Sequence, residues 1–186
     1  MCGRYVTEDD KSVDMRSLYH KLSLLYPDVR IKSGEIFPTD TVPLLVGKDL
    51  IPVPGTWGYP GYKNKGVIIN ARSESVAEKP FFRDGILRHR CIIPTNGYYE
   101  WSKSKVKYRF NLPDSPMVYL AGIYRNTPDG IRFVVITTRA DESVSPIHDR
   151  MPVILTFDMM DAWTRGIEDF DVFREATPIL NSIKVN

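Results

Sequence analysis

The chain has 186 residues, 42% hydrophobic and 26% charged, which is enough apolar material for a packed core and too much for a disordered chain. No apolar run approaches the roughly 20 residues of a membrane helix, and no basic flank leads into an apolar stretch at the start, so a cytoplasmic protein with no membrane partner is expected. The net charge of +2 is too mild to declare a polyanionic partner, and two cysteines with three scattered histidines (His20, His89, His148) exclude a zinc site of ordinary spacing.

In chain order, the opening Met-Cys-Gly-Arg-Tyr places one of the two cysteines directly behind Met1. Residues 7–10 (TEDD) have the Ser/Thr-x-x-acid form of a helix start. Val13, Leu18 and Leu22 follow, with Met15 and Tyr19 between them, which predicts a helix over about 8–24. Stretches rich in β-branched or aromatic residues and bounded by Pro, Gly, Asn or Asp predict strands at 41–47, 66–74, 90–101, 107–112, 117–124 and 131–140. A short helix is predicted from Pro80, where proline is tolerated in the first turn, and another over 156–166, stopped by Gly166. Many strands with three or four helices predict an α+β fold. The expectation is a single domain over 1–186, built on a mainly antiparallel, barrel-like sheet with peripheral helices.

Four segments carry chemistry: CGRY (2–5), NARSES (70–75), NGYYEW (96–101) and IHDRMP (147–152). Residues two apart on a strand share a face. That rule groups Cys2 with Arg4, Asn70 with Arg72, Glu100 with Tyr98 and Asn96, and, if the last segment is extended, His148 with Arg150. Each has a plain alternative. Asn70 serves equally as a turn cap, Arg72 as a solvated strand residue, and His148 as a structural side chain. Glu100 is either an exposed edge residue or a carboxylate desolvated by aromatic neighbours, which raises its pKa. His20 and His89 read as surface residues, Cys91 as a small core hydrophobe, and Trp101 as core.

Cys2 resists the plain reading. Removal of Met1 by an aminopeptidase leaves a free α-amine (pKa about 7.7–8.0) and a thiol (about 8.5) on adjacent carbons. Such a 1,2-aminothiol condenses with an aldehyde through the amine, and the thiol then closes a five-membered thiazolidine.

Together and in this order, the four segments resemble the SRAP (SOS response-associated peptidase) family, from Cys2 to about Leu155. The resemblance includes the stretch NARSESVAEKPFFRDGILRHRCIIPTNGYYEW and the closing SPIHDRMPVIL. It implies a protein that senses abasic sites in single-stranded DNA, crosslinks covalently to the open-chain aldehyde of the deoxyribose, and removes whatever precedes its cysteine. Carried over by residue, the resemblance implies Cys2 as nucleophile, Asn70 as orienting amide, Glu100 as acid/base and His148 as a proton-transfer group. Arg4, Arg72 and Arg150 are then expected on phosphates, and Trp57 and Pro38 against neighbouring bases. A monomer without cofactor or metal is expected, nucleoid-associated if bacterial. Two features depart from the family pattern: Tyr59 and Tyr62 stand where a further tryptophan is common, and the stretch between Trp57 and Asn70 is abbreviated. Two rival readings stay open, an N-terminal-nucleophile amidohydrolase and a non-covalent single-strand binder in which Cys2 is incidental.

Overall fold

The strand-forming stretches pair into two large sheets and one two-stranded sheet, with helices on the flanks. The computed structural model describes residues 2–8, 10–61, 65–166 and 170–185. The strands are β1 (Arg4–Thr7), β2 (Gly34–Ile36), β3 (Thr41–Val46), β4 (Ile51–Trp57), β5 (Tyr59–Pro60), β6 (Val67–Ile68), β7 (Asn70–Arg72), β8 (Arg90–Thr95), β9 (Gly97–Trp101), β10 (Lys107–Asn111), β11 (Val118–Thr127), β12 (Gly130–Arg139), β13 (Arg150–Pro152), β14 (Ile154–Leu155) and β15 (Asn181–Lys184). The helices are α1 (Val13–Leu25), α2 (Pro80–Arg88), α3 (Phe157–Thr164) and α4 (Phe170–Glu175). Among the described residues, no helix is long and apolar enough to cross a membrane.

Strands β12, β4, β3, β8 and β11 pair in that order, and β11 pairs back with β12, so the five close into a barrel. Closure leaves these strands no free edge between neighbours. The two longest, β11 and β12, pair from Gly122–Val135 to Thr127–Gly130 and then diverge. Beyond the divergence, β12 takes β7 as a parallel neighbour and β13 as an antiparallel one, while β11 takes β14. The barrel is therefore splayed at one end, and that end receives the segments at 70–72 and 150–152. The second sheet, ordered β15-β10-β9-β1-β2, is antiparallel throughout.

Strand alternation divides the apolar residues between two cores. Val42, Leu44, Cys91, Ile93, Leu120, Phe133 and Val135 fill the barrel and meet Tyr5, Tyr98 and Phe110 of the second sheet. Their strand neighbours Ile92, Ala121, Ile123, Val134 and Ile136 pack outward against Phe82 and Ile86 of α2 and Trp163 of α3.

Local chemistry moved two predicted boundaries. The first helix starts at Ser12, whose Oγ accepts from Met15 N at 3.0 Å, and not in the TEDD stretch. Thr7 instead ends β1, and its Oγ1 accepts from Tyr19 at 2.8 Å. The apolar run 90–101 is two strands in different sheets, broken at the buried Asn96. Its side chain accepts from Glu8 N at 2.6 Å and donates to Pro116 O at 2.8 Å. The next residue, Gly97, has φ 141°, and a Cβ there would collide with the Phe110 carbonyl oxygen, so only glycine makes the crossing.

Candidate functional site

Cys2 precedes β1 and is fully buried in the core between barrel and sheet. Its thiol lies 3.7 Å from the Arg4 carbonyl, and its own carbonyl accepts from Asn70 Nδ2 at 2.9 Å. Asn70 is delivered by β7, the short strand parallel to the splayed half of β12, in register with Val135. Its Oδ1 is buried and has no hydrogen-bond partner among the described residues.

Glu100 enters from β9 on the core face with Tyr98 and is 3% exposed. His148 follows a turn over 142–147 and brings Nε2 to 3.8 Å from Glu100 Oε2. Its side chain is 23% exposed and floors a cleft of about 410 Å³ between Ser102–Ser104 and Ser145–Asp149.

Electrostatics follow from this burial. Desolvation pushes the Glu100 carboxyl above its ordinary range. Desolvation and the Glu100 charge also push the Cys2 thiol well up. The site therefore pairs a neutral thiol with a carboxyl whose pKa is raised by burial, an arrangement fit for acid/base work. Among the described residues, no three His, Cys, Asp or Glu side chains converge as metal ligands.

The other predicted residues are placed as follows. Cys2 and Arg4 do not share a face, because β1 begins only at Arg4 and alternation does not extend back through Gly3. The Arg4 guanidinium lies on the outer face of the second sheet, 3.2 Å from Glu35 and 3.6 Å above the Phe37 ring. Arg72 ends β7, exposed to solvent. Pro38 is partly exposed in a turn held by Asp40, which accepts from Phe37 N at 2.9 Å. Trp57 is fully buried, donates to Ile69 O at 3.0 Å and packs 4.9 Å from Tyr5, so its indole is a core side chain and not a platform open to a base. Trp101, expected in the core, is instead partly exposed on the outer face, 5.8 Å from Arg4. His148 and Arg150 do not lie along one strand, since His148 precedes β13. Arg150 points instead to Glu74, with NH2 3.0 Å from Oε2. Tyr59 is buried; Tyr62 lies outside the described residues.

Sequence reasoning missed Phe37, which is 43% exposed, and Lys107, which reaches Glu35 at 2.7 Å and the Tyr99 ring at 4.0 Å. The signal for Lys107 was its register opposite Trp101, which exists only once β9 and β10 are paired.

A family profile described as SOS response associated peptidase (SRAP) matches residues 1–182. Among curated proteins, the abasic site processing protein YoqW of Bacillus subtilis (strain 168) is 43% identical over 112 residues, covering 55% of this chain. The match spans about half of that relative's length, 48%. The abasic site processing protein YedK of Escherichia coli (strain K12) is 28% identical over 177 residues, covering 89% of this chain and 80% of YedK. A crystal structure of a protein from Bacteroides thetaiotaomicron matches with TM-score 0.81 at 21% identity, covering 100% of this chain and 92% of that one. One from Bordetella bronchiseptica matches with TM-score 0.74 at 19% identity over 100% of both chains. At these identities the two structures share the fold.

Proposed function

Because the chain belongs to the SOS response associated peptidase (SRAP) family, we propose that it processes abasic sites in single-stranded DNA by forming a covalent crosslink through Cys2. The observation that carries this reading is the 2.9 Å hydrogen bond from Asn70 Nδ2 to the Cys2 carbonyl. It fixes Cys2 from the carbonyl side, so that its amine and thiol are the groups left for an aldehyde.

Once whatever precedes Cys2 has been removed, by self-processing or by an aminopeptidase, its α-amine is free. Glu100, its pKa raised by burial, donates in its protonated form to the ring oxygen of the closed deoxyribose and promotes opening to the aldehyde. The amine adds to the aldehyde carbon, and the resulting carbinolamine loses water to give an imine. The thiol then adds across that imine: sulfur bonds to carbon, its proton passes to nitrogen, and the ring closes with a net loss of one water. Burial favours this order, because a thiol with a raised pKa is a poor opening nucleophile. His148, between the cleft and Glu100, assists proton transfer at the sugar. Arg4 and Arg72 hold phosphates on either side of the lesion, and the exposed Phe37–Pro38 turn stacks on a neighbouring base.

The test mixes protein whose N-terminus is Cys2 with a single-stranded oligonucleotide carrying one abasic site, followed by a denaturing gel. A shifted band is expected that is absent with Cys2→Ala, with intact DNA, and with a form carrying an irremovable residue before Cys2. No denaturant-resistant band with the processed wild type overturns the reading. Binding without a band favours the non-covalent module, and ammonia release from an amide favours the amidohydrolase.

A further inference from the structure

One short segment reaches both halves of the site. Asn70 holds the Cys2 carbonyl, and Glu74, four residues on, grips Arg150 with both carboxylate oxygens. Arg150 is 9% exposed, and its NH2 also donates to Thr137 O at 2.7 Å and Thr137 Oγ1 at 3.3 Å. Two of the three guanidinium nitrogens are thus engaged within the protein. Meanwhile the Arg150 main chain seats the imidazole. Its N–H donates to His148 Nδ1 at 3.0 Å, and its carbonyl oxygen lies 3.1 Å from the same nitrogen, with Nε2 left toward Glu100. Asp149 also approaches Nδ1 at 3.2 Å, but its side chain is 89% exposed and holds only weakly.

We infer that Glu74 is a positioning residue for the reaction: through its two-pronged hold on Arg150 it keeps the His148 imidazole against Glu100. A bidentate carboxylate–guanidinium pair fixes both distance and plane, which a single contact does not. Hydrogen bonding from Arg150, with its charge, also holds the Glu74 carboxyl below its ordinary range, so the pair is ionised at neutral pH. Placement matters because an acid/base group displaced by about 1 Å can cost about 100-fold in rate. The kinetic part of this inference rests on the crosslinking reading.

The experiment is a double-mutant cycle on crosslinking rate, with the abasic single strand as substrate and Glu74→Ala, His148→Ala and the double variant as proteins. Glu74→Ala is expected to slow crosslinking about tenfold or more in the wild-type background and less than about twofold where His148 is already gone. Equal losses in both backgrounds overturn the inference. Glu74→Gln, which keeps the shape and one acceptor, runs through the same cycle and replaces Glu74→Ala if that variant does not fold. If the wild type forms no adduct at all, the crosslinking reading fails separately, and the ring nitrogen resonances of the three histidines decide. Glu74→Gln should then displace those of His148 while leaving His20 and His89 in place. Unmoved His148 signals, or equal movement of all three, overturn the inference.

Discussion

With its thiol raised by burial and by the Glu100 charge, Cys2 is a poor thiolate near neutrality, so the proposed crosslinking depends on the amine that processing would expose. Glu100 shows the same physics from the acid side. Its folded-state pKa lies above the ordinary 4.5, chiefly through desolvation. A carboxyl raised on folding supports the fold fully below its unfolded pKa, and that support is lost as pH rises through the folded value. Glu100→Gln removes this penalty, so its stability relative to wild type should be greater at neutral pH than at about pH 4, the ordinary carboxylate value. Urea melts at both pH values measure the difference, and a difference independent of pH would contradict a buried, raised Glu100. Residue types at this scale were readable without coordinates, because the chemistry restricts them: an aminothiol, an amide to orient it, a carboxyl among aromatics, a histidine. The fate of Arg150 was not readable, since its partner Glu74 is 76 positions away.

Elements carry the site because each ends where it must. Splitting 90–101 at Asn96 sends β8 into the barrel and β9 into the second sheet, which puts Tyr98 and Glu100 on the shared core. Gly97→Ala forces a side chain into φ 141° and onto the Phe110 carbonyl. It should cost about 3 kcal/mol, the upper end for one strained residue, in a denaturant melt. Ser12→Ala removes the bond to Met15 N that starts α1 and should cost about 1 kcal/mol by the same measurement, with the crosslinking rate unchanged. The TEDD stretch was misleading for a physical reason: Thr7 met a better partner in β1, where pairing with Gly34 outweighs a local capping box. Trp57 misled similarly, because a tryptophan after Pro and Gly reads alike whether its face is covered or open. Only the packing of Tyr5 covers it.

For the molecule as a whole, a net charge of +2 leaves little long-range pull on a polyanion, so the proposed affinity for DNA would come from locally placed cations. Arg72, exposed at the end of β7, is one such cation. Arg72→Ala should weaken non-covalent binding to a single strand and lower the slope of log K against log salt by about 0.7, the share of one phosphate on a single strand. Titrations at several salt concentrations measure this, and an unchanged slope would remove Arg72 from the interface. By itself the sequence determined the kinds of group present, the strand-rich α+β character and most element positions, because propensity, alternation and reactive-group chemistry are local properties. Only the tertiary structure decided which groups meet. Closure of β11 on β12, and their divergence past Gly122 and Val135, place Asn70 beside Cys2, seat His148 against Glu100, and turn Arg150 inward to Glu74. Those contacts join residues far apart in the chain, where nothing in local sequence specifies the partner.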